Sequence, residues 1–310
     1  LNSPCRAAKE YCFTEKFRVS LDNAGKEWYT NCVVKVKVNA KINLCLFITG
    51  VKQSYHMLDS VVASVGIADV ISARKSDKTT LFFKSGLDER NTNAYKVAEY
   101  MVKEYSLPGA EIEIEDNIPS SCGMGGSSAD CAGVILALNE LYSLSLSLPK
   151  MQEIALKFGS DTAYMLTGGY AVMQGRGEII KPFDSEFTKK ITIAYKGGVS
   201  TKESFDLFDK RGAFSLDGSN KMVDALKKTN EQAVFSLLYN DLEKPSKALN
   251  PHIEKIESLS PFPCVMTGSG AAVVIMGQSA PLSKSLSLLG ATVIETEIVS
   301  RGVDIIKIVN

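Results

Sequence analysis

Residues 118–133 read IPSSCGMGGSSADCAG, a run of glycine, serine and other small side chains between two segments of different period. Before it, AEIEIED at 110–116 alternates Ile112 and Ile114 with Glu111, Glu113 and Glu115, the period-two signature of a strand with one face in water. After it, Val134, Ile135, Leu138, Leu141 and Tyr142 recur at helical spacing and predict an amphipathic helix. The unit is strand, glycine-rich loop, helix. Glycines let backbone N–H groups approach a ligand closely, and a helix start carries partial positive charge, so the loop favours an anion such as a phosphate. Two familiar phosphate loops do not fit. A Walker A loop needs Lys after its last glycine, whereas Gly126 is followed by Ser127 and Ser128. A dinucleotide fingerprint needs Gly or Ala at position 128 and a buried parallel strand before the loop, and here Ser128 follows a half-exposed strand. A loop of small residues also serves simply to pack a helix tightly on a sheet, and these residues alone leave that reading open.

The whole chain narrows the choice of partners. Its 310 residues hold 35 Lys plus Arg against 35 Asp plus Glu, so the net charge is zero and no basic block exists to track a nucleic-acid backbone or an anionic membrane. Any phosphate is recognised locally. No run of about eighteen apolar residues is present, and the N-terminal segment, with Lys9, Glu10, Lys16 and Arg18, lacks the apolar centre of a secretion signal. The seven cysteines are odd in number and lack metal-type spacing, which fits free thiols in a reducing compartment, so a cytoplasmic protein is expected. With His56 and His252 as the only histidines, a zinc site is not expected. Residues 1–32 hold Cys5, Cys12, Cys32 and Trp28 without any sustained period. They are either an upstream translation artefact, with the true start near Val33 or Val34, or a genuine irregular extension.

From Val34 the pattern is regular. Val34, Val36, Val38, Ala40, Ile42, Leu44, Leu46 and Ile48 alternate with Lys35, Lys37, Asn39, Lys41 and Asn43, which predicts a long strand or a bulged pair. Asn39, Lys41 and Asn43 stand side by side on its polar face and read as a solvated row unless something anionic lies opposite. Further helices are expected over NAYKVAEYMVKEY and LPKMQEIALKFG, with Gly159 closing the second and Asp161 placed to cap the next. Strands follow in GGYAVMQGRGEIIKP and KKITIAYKGGVS, a helix opens near Thr201, and a charged helical region covers Lys221 to Leu238. CVMTGSGAAVVIMG reads as strand, glycine turn, strand, and ATVIETEIVS and VDIIKIV as closing strands. Helices and strands interleave without a βαβ period, so the expected class is α+β, divided near residues 185–200.

Three separated features coincide: NAKINL with Lys41 at its centre, the 118–133 loop, and TGSGAAV near the end. In this order, together with Tyr55-His56, GSD at 159–161, GRGE at 175–178 and NDLE at 240–243, they resemble the GHMP kinase superfamily from about Val34 to Gly277. More narrowly, the chain resembles the branch acting on a cytidine-diphosphate-linked sugar alcohol, phosphorylating its C2 hydroxyl in non-mevalonate isoprenoid synthesis. Kinases of homoserine, threonine or mevalonate, and a nucleotide-sensing regulator that has lost catalysis, are the alternatives. The resemblance implies a two-domain fold: an extension at 1–32, an ATP-binding ribosomal-protein-S5-like domain at 33–190 and a ferredoxin-like domain at 191–310. It implies ATP and Mg2+ as cofactors, no nucleic-acid or membrane partner, and a monomer or homodimer.

Site residues carry over in the same way. Lys41 and Asp161 would be catalytic, with Asp161 accepting the proton of, or orienting, the acceptor hydroxyl. From the residues alone Asp161 reads first as a helix cap. Pro119, Gly123, Met124, Gly125, Gly126, Ser127 and Ser128 would cradle the triphosphate, and Asn91 and Asn93 would touch adenine or ribose. Asn43 would bind substrate or position the catalytic pair. Tyr55, His56 and Phe205 would form the cytosine pocket, Phe205 because GVSTKESF resembles the family's GVSTAEVY segment; a core tyrosine and a surface histidine are the simpler roles of the first two. Gly268, Ser269 and Gly270 would line the substrate side. The chain departs from the family's GLGGGSSDAA: Met124 takes the Leu position, Ser127 a glycine position, Ser128 and Ala129 the two serine positions and Asp130 that of the Asp. Either Ser127 or Ser128 would therefore face the metal. Ser54 replaces a glycine in a loop one residue short, and Thr162-Ala163 replace Val-Pro.

Overall fold

The computed structural model describes residues 32–210, 213–215 and 218–309, so the extension with Cys5, Cys12 and Trp28 lies outside the described residues. Two 21-residue strands, β1 (Cys32–Lys52) and β2 (Tyr55–Lys75), form one long antiparallel hairpin. Lys52 pairs with Tyr55, so Gln53 and Ser54 alone make the turn, both with positive φ (51° and 64°). That is the tight hairpin connection whose twist matches the strands, and it accounts for the missing residue in this loop. Ser54 adopts a backbone conformation that glycine would take more easily.

β3 (Thr80–Phe83) and β4 (Ala110–Glu115) extend the sheet on one side of β2, with α1 (Asn93–Glu104) between them. The loop at 118–125 then leads into α2 (Gly126–Leu141). The amphipathic helix expected here is instead buried nearly all round, from Ala129 to Leu138. It lies between the hairpin and α1, with α3 (Leu148–Ala155) and the short α4 (Thr162–Met165) alongside. β5 (Ala171–Gly175) and β6 (Ile179–Pro182) form a hairpin within the stretch expected as strand, and β5 pairs with β2 over Leu58–Val62.

The C-terminal half builds a second layer. β7 (Lys190–Tyr195) is followed by α5 (Thr201–Asp209), capped by the Ser200 side chain. The charged region expected as helix is two helices, α6 (Asn220–Lys227) and α7 (Glu231–Ser236). β8 (Tyr239–Asn240) runs parallel to β1, and α8 (Glu243–Leu249) and α9 (His252–Ser258) lead to β9 (Cys264–Met266) and β10 (Val273–Ile275). After α10 (Ala280–Leu288), β11 (Thr292–Val299) pairs with β7 and, at Ile298 and Val299, with β2; β12 (Val303–Val309) returns to pair along β1. The strand path is β12-β1-β2-β11-β7-β10-β9. One core fills the hairpin, α1–α4, and Met222, Leu226 and Val234 of α6 and α7. A second joins Leu46 and Ile48 of β1 to Phe208, Leu242, Ile253 and Val273. Among the described residues the five cysteines are free thiols and no helix is long and apolar enough to cross a membrane.

Candidate active site

Asn39, Lys41 and Asn43 of β1 do not form a solvated row. β1 pairs with β2 through bulges between Asn39 and Lys41, Asn43 and Cys45, and Ile48 and Gly50, and each extra residue re-aims the side chains that follow. Asn39, Lys41 and Asn43 are all buried. The 121–125 loop and the β9–β10 turn cover them. Lys41 N–H donates to Met124 O at 3.0 Å, and Asn43 N–H donates to Thr267 Oγ1 at 2.9 Å.

Lys41 faces the expected carboxylate. Its Nζ lies 3.3 Å from Asp161 Oδ2 and donates to Asn43 Oδ1 at 2.8 Å, with side-chain exposures of 6% for Lys41 and 34% for Asp161. Asp161 occupies the N-cap position of α4 but its side chain caps nothing. The capping role is thereby replaced by the ion pair. Asn43 Oδ1 also accepts from Gly268 N–H at 3.0 Å and Thr267 Oγ1 at 3.3 Å, while Nδ2 donates to Ser60 Oγ. Asn43 is engaged at both ends of its amide, which makes it a positioning group for Lys41. Asn240 of the NDLE stretch completes the frame by donating to Met266 O and Gly268 O.

The glycines divide by role. Gly123 and Gly125 have φ of 78° and 80°, conformations that strain any side chain. A Cβ on Gly123 would stand 2.2 Å from Thr267 O, so the phosphate-type loop and the TGSG turn meet backbone to backbone. Gly125 lies against the Lys41 stem, where a Cβ would be 3.4 Å from Cγ. Gly133, deeper in α2, lets the helix close on Ile71, where a Cβ would be 2.3 Å from Cδ1. Loop geometry and helix packing thus draw on different glycines. Gly123→Ala is expected to lower stability by more than the roughly 1–2 kcal/mol of a left-handed alanine, because the carbonyl clash adds to it. Gly126→Ala, at a helical position whose nearest contacts would be Ile118 atoms at 3.3 Å, should be milder. Thermal melts of the two variants check this, and equal melting would refute the interlock.

A cavity of about 1080 Å³ is lined by Lys41, Asn43, Gly123, Gly125 and Asp161 at one part, and by Tyr55, His56, Phe205 and Gly268 to Gly270 at another. His56 stacks on Phe205 with centroids 4.4 Å apart, and Arg176 lies over the Tyr55 ring at 4.7 Å. Tyr55 is exposed rather than core. Pro119, Met124, Gly126, Ser127, Ser128, Asn91 and Asn93 do not line this cavity. Met124 points into the core, and Asn93 Nδ2 donates to Phe158 O at 2.9 Å, tying α1 to the segment that carries Asp161. Ser127 is exposed, while Ser128 Oγ lies toward Gly159.

Beneath the loop lies a pair that has no sequence signature. Asp69 and Asp130 are both buried with their carboxyls facing each other; Asp69 Oδ1 accepts from Ile118 N–H at 2.7 Å, and Asp130 Oδ1 meets no donor. Burial pushes both carboxyls up, to about 7 for Asp69 and about 9 for Asp130, the latter also raised by the Asp69 charge. A proton held between them resolves the repulsion. Native protein then keeps protons that the unfolded chain, titrating near 4, has released, so stability falls as pH rises from about 4 to about 9. Asp130→Asn should flatten that fall, since an amide can donate to Asp69 without titrating. Melting temperatures across this range decide it, and superimposable profiles would exclude the shared proton.

Comparison with known proteins reaches the same place. Residues 92–173 match the GHMP kinases N-terminal domain. The chain is 35% identical over 248 residues to the 4-diphosphocytidyl-2-C-methyl-D-erythritol kinase of Desulfitobacterium hafniense, covering 77% of this chain and 86% of that one. The chain belongs to the GHMP kinases. The enzyme of that name from Clostridium perfringens is 33% identical over 256 residues, covering 77% of this chain and 87% of its own. A solved 4-(cytidine 5'-diphospho)-2C-methyl-D-erythritol kinase superposes with a TM-score of 0.70 at 26% identity, covering 86% of this chain and 99% of that one. Homoserine kinase from Cytophaga hutchinsonii superposes with the same TM-score at 15% identity, covering 88% and 97%, which speaks to fold alone. This GHMP kinase is an ATP-dependent phosphotransferase with an alcohol as acceptor, on the expected α+β fold.

Proposed function

We propose that this kinase transfers the γ-phosphoryl group of ATP to the C2 hydroxyl of 4-(cytidine 5'-diphospho)-2-C-methyl-D-erythritol. The observation that carries the reading is one cavity joining the Lys41–Asp161 pair to an aromatic group, Tyr55, His56 and Phe205, suited to a flat polar base. An amino acid or mevalonate has no use for that aromatic end, and a non-catalytic regulator has none for the ion pair. The acceptor oxygen attacks the γ-phosphorus, the bond to the β–γ bridging oxygen breaks, and ADP leaves. Asp161 takes the hydroxyl proton, and Lys41 offsets charge gathering on the transferring group.

Gly123 and Gly125, which line the cavity beside Lys41 just ahead of α2, cradle the phosphates. Among the described residues no cluster of three acidic, His or Cys side chains could hold a metal, and Asp130 is turned to Asp69. Such a site suits magnesium carried mostly by phosphate and water, supplying charge neutralisation, with Ser127 or Ser128 the hydroxyl that would face it. Free thiols and ATP dependence suit the cytoplasm. Incubation of the protein with ATP, magnesium and a panel of alcohols, read by ADP release and product mass, tests the substrate. Turnover of homoserine or mevalonate with none of the cytidine compound would sink the reading.

A further inference from the structure

His56 is held at one ring nitrogen. Its Nε2 lies 2.7 Å from Asp209 Oδ1, its ring stacks on Phe205 at 29° between planes, and Phe208 meets it edge-on with centroids 6.2 Å apart. All three partners come from α5, whose Phe205, Phe208 and Asp209 share one face at spacings of three and four. Nδ1 makes no hydrogen bond to the described residues, and His56 lines the cavity. A carboxylate only accepts, so Nε2 must donate. A neutral imidazole so held carries its proton on Nε2 and presents a lone pair at Nδ1.

We propose that Asp209 is a positioning residue for base recognition: by holding the Nε2–H form of His56, it makes the cavity accept a 4-aminopyrimidine and turn away a 4-oxopyrimidine. The inference rests on the aromatic end being the base site. An exocyclic amino group donates to the Nδ1 lone pair, whereas a carbonyl oxygen in its place meets a second acceptor. Satisfying that oxygen requires a proton on Nδ1, either moved from Nε2, which breaks the bond to Asp209, or taken up from solvent at a cost to binding. A charge-assisted hydrogen bond of this kind, with Asp209 half-exposed at 51%, corresponds to about tenfold in preference. Asp209 does not line the cavity, so the discrimination passes through His56.

The chain's two histidines make the ring state directly readable. Nitrogen-15 spectra of histidine-labelled protein, assigned with His252→Gln and recorded where free imidazole is neutral, should show His56 protonated at Nε2. Calorimetry with CDP and with UDP, the ATP site filled by a non-hydrolysable analogue, should show a preference for CDP that Asp209→Ala lowers about tenfold and Asp209→Glu partly restores. Affinity for the ATP analogue should not move. A proton on Nδ1 in the unsubstituted protein, or an undiminished CDP preference in a natively melting Asp209→Ala, overturns the inference. Tight CDP binding without phosphorylation of the cytidine compound overturns the substrate reading instead, leaving the role of Asp209 to the CDP/UDP ratio.

Discussion

Asp161→Asn leaves the fold and both ligand affinities in place while kcat falls by roughly 10²–10⁴-fold, the contribution of a positioned base. The separation of rate from stability follows from the geometry. Asp161 makes no capping bond to α4, so its replacement removes no helix cap, and the amide has the carboxylate's size. What is lost is the ability to take a proton and the charge paired with Lys41 Nζ at 3.3 Å. At one-third exposure the site can rehydrate, so the stability change should be within about 1 kcal/mol. Steady-state kinetics and thermal melts on the same preparation decide the matter. Near wild-type kcat would remove Asp161 from the chemistry.

Lys41→Met is the companion experiment, with kcat falling by roughly 10²–10³-fold, as when a single preorganised donor is removed from a developing charge. Methionine keeps most of the buried stem that lies along Gly125. The partner left behind is not orphaned, because Asn43 Oδ1 still accepts from Gly268 N–H and Thr267 Oγ1. Loss of rate should therefore exceed any loss of stability. The double variant should be little slower than the worse single one, since a proton acceptor and the cation beside it act as a unit. Additive losses, with each single effect multiplying in the double variant, would show that the two groups act in separate steps.

Much of the architecture was readable along the chain because the governing forces there are local. Alternation over 34–48 and 110–115, the helix opening near Thr201, and the glycine turn between β9 and β10 all express backbone geometry within a few residues. The strand–loop–helix unit around Gly123 was legible for the same reason, and the order of motifs pointed to the kinase fold. The cover over the catalytic face was not legible. Asn39, Lys41 and Asn43 look solvated in sequence, yet Thr267, 224 residues away, and the loop at 121–125 bury them. Asp161 could not be told from a cap until Lys41 stood opposite it. α2 has the periodicity of a half-buried helix, but the hairpin, α1, α3 and α4 enclose it. Asp69 facing Asp130 and Asp209 holding His56 join segments that no local period relates. Sequence by itself determined the fold class and the family; tertiary structure alone decided which polar side chains lost their water and gained a partner, because desolvation depends on what packs above a face rather than on the face's own pattern.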